Sequence, residues 1–127
     1  MVGQTDRSPR VILDNVMDGE ERVLEGPSPM EYLLLGLAGC TGMDVVSILQ
    51  KKRQPFTNLE VRVTAERADE HPRVYTKVHM TFVVTGKDVK PEAVERAIEL
   101  SETKYCSASA MFAKTAEMST SYEIVEA

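Results

Sequence analysis

Hydrophobic and polar positions mark out two periods along this chain. Over residues 58–68 they alternate, with Leu59, Val61, Val63 and Ala65 on one face and Glu60, Arg62, Thr64 and Glu66 on the other. Residues 74–85 repeat the pattern: Val74, Thr76, Val78, Met80, Phe82 and Val84 point inward, and Tyr75, Lys77, His79 and Thr81 outward. A period of two predicts strands with one face on a core and one in water. The loop over residues 69–73 between them predicts an antiparallel pair. Residues 116–125 alternate again, with Ala116, Met118, Tyr122 and Ile124 set against Glu117, Ser119, Ser121 and Glu123.

Between these strands the period changes. Residues 91–105 place Val94, Ala97, Ile98, Ser101 and Tyr105 on one stripe and Glu92, Glu95, Arg96, Glu99 and Glu102 opposite, an amphipathic helix with Asp88 as its expected cap. Cys106 comes next, and Ser107 is the expected cap of a short helix to about Lys114. A thiol ahead of a helix start is expected to have a lowered pKa. Near the N-terminus, residues 10–15 and 21–24 are short apolar runs flanking Asp18-Gly19, which predicts a hairpin.

Residues 26–53 fit neither pattern. Ser28 and Pro29 signal a helix start, Lys51, Lys52 and Arg53 suit its negative end, and Pro55 blocks continuation. From Met30 to Leu49 the charged residues are Glu31 and Asp44 alone. A helix apolar on every side requires cover on every side, and at 1.5 Å per residue it spans about 37 Å. Gly36, Gly39 and Gly42 suggest close backbone approach. Such a run also satisfies the length of a membrane span, but Asp44 within it and the charged, strand-forming remainder argue for a buried soluble helix. The order predicts a single α+β domain over residues 1–127, with helices against one face of an antiparallel sheet.

Composition narrows the function. A net charge of −5 and a pI near 5.1 offer no basic field to attract nucleic acid. The first ten residues have no apolar core of the kind a signal peptide needs, and two cysteines without an export signal point to a reducing cytoplasm. Cys40 and Cys106, 66 positions apart, fit no common zinc spacing, and His71 and His79 fall in a loop and on a polar strand face. No phosphate loop or nucleophile elbow is present. Thiol chemistry remains: an ionised cysteine attacks a peroxide, and a second thiol condenses with the resulting sulfenic acid. A buried cysteine acting only as a small hydrophobe is the plain alternative, and sequence separation alone does not bring the two together.

The segments PSPMEYLLLGLAGCTGMDVVSILQKKR and LSETKYCSASAMFAKTAE, taken together, resemble the OsmC/Ohr family, most closely its small uncharacterised OsmC-like branch, over roughly residues 11–125. The resemblance implies an intertwined homodimer whose long buried central helices are wrapped by antiparallel sheets, with each site at the interface. It implies a two-cysteine hydroperoxide reductase: Cys40 matches the peroxidatic cysteine and Cys106 the resolving one. Small organic hydroperoxides would be the substrates and a lipoyl-type or other dithiol the reductant, with no cofactor or metal. Met30 stands where peroxidase members carry a catalytic glutamate, and Glu31 is one position later, about 100° around the helix; it is the candidate replacement. The family's catalytic arginine precedes the position of Val11; the chain is expected to lack that first strand, and Arg7, Arg10 and Arg22 do not match the motif. The rival readings are an OsmC-like protein that binds a small hydrophobic ligand, or a redox sensor whose thiols oxidise without turnover.

Overall fold

A computed structural model describes every residue except Asp18. The chain forms two compact units, Met1–Leu35 and Gly36–Ala127.

In the first unit, β1 (Val2–Gly3) pairs antiparallel with β2 (Val11–Ile12). A strand therefore does occupy the segment expected to lack one. The anticipated hairpin does not form: Val11 and Ile12 pair backwards with Val2 and Gly3, and residues 21–24 are not a strand. The Asp18 half of the expected turn lies outside the described residues, while Gly19 takes a left-handed φ of 84°. Asp14, Asn15, Arg22 and Glu25 are tied together through side chains instead. Arg22 donates to both carboxylate oxygens of Asp14 at 2.7 Å and to the Asn15 carbonyl at 2.8 Å, and Glu25 N–H donates to Asp14 at 2.9 Å. Gly26 lies against this segment, where a Cβ would sit 2.6 Å from the Ile12 carbonyl oxygen.

Helix α1 (Pro29–Lys51) starts in this unit. Glu31 N–H donates to Ser28 Oγ at 3.1 Å and Ser28 N–H donates to Glu31 Oε1 at 2.9 Å, a reciprocal capping box. The helix ends as the sequence suggests, with Arg53 in the left-handed region (φ 55°) and Gln54 N–H donating to the Leu49 carbonyl.

The second unit carries the rest of α1 and a three-stranded sheet in the order β3 (Phe56–Arg67), β4 (Tyr75–Gly86), β5 (Glu117–Val125). The β3–β4 pair is antiparallel as expected, with Val61 opposite Phe82 and Val63 opposite Met80. The β5 strand lies parallel to β4, so the sheet is mixed rather than antiparallel. A parallel neighbour needs a helical crossover, and residues 91–112 supply it: α2 (Pro91–Leu100), a π-helical turn (Ser101–Tyr105) and α3 (Ser107–Phe112). Lys90, not Asp88, is the residue before α2, and Pro91 at the first helical position supplies the preset φ.

Val78, Met80, Phe82 and Val84 form the buried face of the sheet, and Leu37, Val45 and Leu49 of α1 and Val94, Ala97 and Ile98 of α2 complete the core of this unit. Each of these side chains other than that of Ala97 contributes about 1.5–3 kcal/mol on burial. Val74 and Tyr75 reverse expectation: Val74 is exposed, and Tyr75 is buried beside Phe112 with ring centroids 5.8 Å apart. Within α1 only Leu37, Thr41, Val45 and Leu49 are buried, one stripe at four-residue spacing. Met43 is 77% exposed, and a Cβ on Gly36 or Gly39 would meet nothing within 4 Å; one on Gly42 would touch Val61 at 3.4 Å. The chain therefore covers one side of a helix whose composition calls for cover all round.

Candidate functional site

The site forms where α1 meets the π turn. Every backbone bond in a π turn skips one more residue than in an α-helix, and here Cys106 N–H donates to the Ser101 carbonyl at 2.8 Å. The extra residue shifts the phase of the chain beyond it. Tyr105, expected on the buried stripe, is 52% exposed, and Cys106 is turned inward to 4% exposure.

Ser101 also fixes this turn to α1 through its side chain. Its hydroxyl donates to Asp44 Oδ2 at 2.9 Å, and Thr41 Oγ1 lies 2.8 Å from Ser101 Oγ. Because the single Ser101 proton is given to the carboxylate, Thr41 is the donor in the second bond. Thr41 and Ser101 are fully buried. This three-residue chain fastens the segment carrying Cys106 to the turn of α1 that begins at Cys40.

Both cysteines are free thiols, Cys106 buried and Cys40 half-buried, and Cys40 is near enough to Cys106 to raise its pKa. Cys106, rather than Ser107, caps α3, with its Sγ accepting from Ser109 N–H at 3.3 Å. The expected lowering of the Cys106 pKa is reversed. Burial pushes it up, the neighbouring Cys40 adds to the rise, and donation from Ser109 only partly offsets them. A six-residue helix with a sulfur cap does not outweigh desolvation.

Glu31, the third candidate, belongs to the N-terminal unit and is engaged in the capping box. Of the arginines considered, Arg22 is held by Asp14 and Glu20, and Arg10 Nε donates to Gln4 Oε1 at 3.3 Å. His79 lies on the sheet, its ring nitrogens 2.7 and 2.9 Å from Ser119 Oγ and Ser121 Oγ. Asp44 also lines a shallow depression of about 320 Å³ with Ser47, Ile48, Lys51, Lys52, Leu100 and Tyr105. Sequence reasoning missed Thr41, Asp44, Ser101 and Ser109. The signal for two of them was present: a serine at a buried position of the α2 stripe and an aspartate inside an apolar helix each require a partner.

The family model for OsmC-like protein matches residues 19–121. The chain belongs to the OsmC-like family. It is 47% identical over 112 residues to protein YhfA of Escherichia coli K12, covering 88% of this chain and 83% of that one. A hypothetical protein from Aquifex aeolicus VF5 has a similar crystal structure, with 34% identity, a TM-score of 0.77, and coverage of 81% of this chain and 77% of the other. The organic hydroperoxide resistance protein OhrB of Bacillus subtilis shares the fold at 19% identity and a TM-score of 0.58, covering 87% of this chain and 82% of its own. The OsmC-like match spans both cysteine segments.

Proposed function

We propose that this OsmC-like protein is a thiol-dependent reductase of organic hydroperoxides, with Cys40 as the peroxidatic and Cys106 as the resolving cysteine. The observation that supports the reading is the Thr41–Ser101–Asp44 chain, which ties the turn of α1 that begins at Cys40 to the segment carrying Cys106, so that two free thiols 66 positions apart lie near enough for Cys40 to act on Cys106. In the first step the Cys40 thiolate attacks the terminal peroxide oxygen. An S–O bond forms, the O–O bond breaks, and the alkoxide leaves as alcohol after taking a proton. The Cys106 thiolate then attacks the sulfenic sulfur, expelling hydroxide, which becomes water, and the resulting disulfide is reduced by an external dithiol.

A small organic hydroperoxide suits this site better than a macromolecule because one thiol is half-buried and the other buried. The acidic chain offers no field for nucleic acid. A second copy of the chain is the partner that best accounts for α1. The helix is long and apolar enough to span a membrane, yet Asp44 and Ser101 make a polar bond on it and Gly36 and Gly39 open a close-approach surface. An intertwined homodimer in a reducing cytoplasm covers that surface without placing a carboxylate in lipid.

The test is peroxide consumption by purified protein with cumene hydroperoxide and dihydrolipoamide, alongside Cys40→Ser and Cys106→Ser. Turnover in the wild type and none in Cys40→Ser is the expected result. An inert wild type with free thiols and intact fold would remove the catalytic assignment.

A further inference from the structure

Ser109 is 5% exposed, and its hydroxyl, alone among the buried side-chain polar atoms of the described residues, has no hydrogen-bond partner. A native chain rarely leaves such a group unsatisfied without a use for it. The local geometry explains how this arises. In a capping box the third helical residue reaches back to the N–H of the cap. Ser109 is the third residue of α3 and Cys106 is its cap, but the Cys106 N–H is already donated to the Ser101 carbonyl. The π turn therefore leaves the Ser109 hydroxyl idle beside a sulfur that already accepts the Ser109 N–H at 3.3 Å.

A thiol is a weak acceptor, whereas a thiolate is charged and forms the stronger, charge-assisted bond. The partner missing while Cys106 is protonated thus appears when it ionises, and the influence of the Ser109 side chain on Cys106 is in that direction. Cys40 on α1 is the titratable group that acts on the same sulfur, in the opposite sense.

We propose that Ser109 is a catalytic residue of the resolving step, donating its Oγ–H to the Cys106 sulfur as a second donor beside its own N–H and so stabilising the attacking thiolate. The proposal rests on the two-cysteine reading for its role in turnover. In that step Cys106–SH gives its proton to solvent and the thiolate attacks the Cys40 sulfenic sulfur. The S–S bond forms as the S–OH bond breaks, and the departing hydroxide takes a proton to become water. Cys106 sulfur is oxidised by one level and Cys40 sulfur reduced by one. Ser109 keeps its proton throughout.

The experiment separates this from the peroxidase question by reading Cys106 alone. In a Cys40→Ala background, the rate of iodoacetamide alkylation of Cys106 is followed against pH, with and without Ser109→Ala. The expected result is an alkylation midpoint moved to higher pH, with a rate at neutral pH roughly tenfold lower and an unchanged alkaline plateau, which shows that access to the sulfur is unaltered. Ser109→Thr, which keeps the hydroxyl, retains the wild-type midpoint. In the two-cysteine protein, disulfide formation after one equivalent of cumene hydroperoxide slows by a similar factor in Ser109→Ala, while loss of the first peroxide equivalent does not. Ser109→Ala removes one unbonded oxygen, so its melting temperature is expected to stay level or rise. An alkylation midpoint unmoved by Ser109→Ala, or moved equally by Ser109→Thr, would overturn the assignment. A moved midpoint in a protein that consumes no peroxide would keep Ser109 as the thiolate donor and remove the peroxidase reading instead.

Discussion

Ser101→Ala is the substitution whose consequences the structure fixes most closely. The Ser101 hydroxyl gives its proton to Asp44 at 2.9 Å and receives that of Thr41 at 2.8 Å. Removing it leaves the Thr41 hydroxyl fully buried without its partner, a loss of about 1–3 kcal/mol. The bond to the carboxylate adds less than its nominal strength, because Asp44 is only half-buried and water can replace Ser101 there. Together these give a destabilisation of roughly 2–4 kcal/mol. Thr41→Val removes the other end of the same bond but leaves Ser101 donating to Asp44, so its effect is about 1 kcal/mol. The double variant removes the stranded hydroxyl, and is expected to be more stable than Ser101→Ala alone.

Urea unfolding at one fixed protein concentration measures all three, because a self-associating chain changes apparent stability with concentration. The non-additivity is the decisive quantity, with an expected coupling of about 1–2 kcal/mol. If Ser101→Ala were as mild as Thr41→Val and the double variant simply the sum, the Thr41 hydroxyl would have turned to the carbonyl one helical turn back. The three-residue chain would then not be what ties the π turn to α1.

Gly39→Ala would add about 1 kcal/mol of helix propensity in an isolated protomer, where its Cβ meets nothing. If a second copy packs there, the same change raises the dimer dissociation constant in sedimentation, which is the expected outcome; an equally dimeric, more heat-stable variant would place the partner elsewhere. Glu31→Ala is expected to lose about 1 kcal/mol from the helix cap, while Glu31→Gln, which keeps an acceptor oxygen, retains both stability and peroxide turnover. A fall in turnover for Glu31→Gln at unchanged melting temperature would instead give the carboxylate a part in the chemistry. Asp14 has its carboxyl held well below the usual range, chiefly by the Arg22 hydrogen bonds. A depressed folded value means that its stabilisation is complete above about pH 4 and is lost as the medium is acidified through the folded value. Melting temperatures taken downward from neutral pH should therefore fall more steeply for wild type than for Asp14→Asn.

The legible and illegible parts of the sequence divide along physical lines. The β3–β4 pair and α1 were legible because period and end signals are local: Leu59 to Ala65 alternate, and Ser28-Pro29 and Pro55 bound the helix. The parallel setting of β5 was not, since alternation is the same in either direction and only the crossover decides. The N-terminal hairpin failed because Asp18-Gly19 is a local preference, and the bidentate Arg22–Asp14 pair with the Glu25 N–H organises that segment differently. The two cysteines were visible as chemistry but not as neighbours, because the inward setting of Cys106 depends on a phase change within residues 101–105 that no heptad or helical stripe encodes. Tyr105 marks the error: it fits the α-helical stripe by spacing and ends up exposed.

That phase change joins the fold to the chemistry. An uninterrupted α-helix through residues 91–105 would keep Tyr105 on the stripe with Ser101, displace Cys106 from its inward position and return its N–H to the residue four back. The π turn instead makes Ser101 serve twice, its carbonyl receiving the Cys106 N–H and its hydroxyl binding Asp44 and Thr41 of α1. Backbone and side chain of one residue therefore set the position of one cysteine relative to the helix that carries the other. The same turn consumes the N–H that Ser109 would otherwise meet, leaving a hydroxyl idle beside Cys106. Burial alone would make Cys106 a sluggish nucleophile, since it holds the thiol protonated. On the proposed two-cysteine reading, a buried resolving thiol needs a donor that engages when the proton leaves, and the irregular turn that buries Cys106 leaves the Ser109 hydroxyl available for that part.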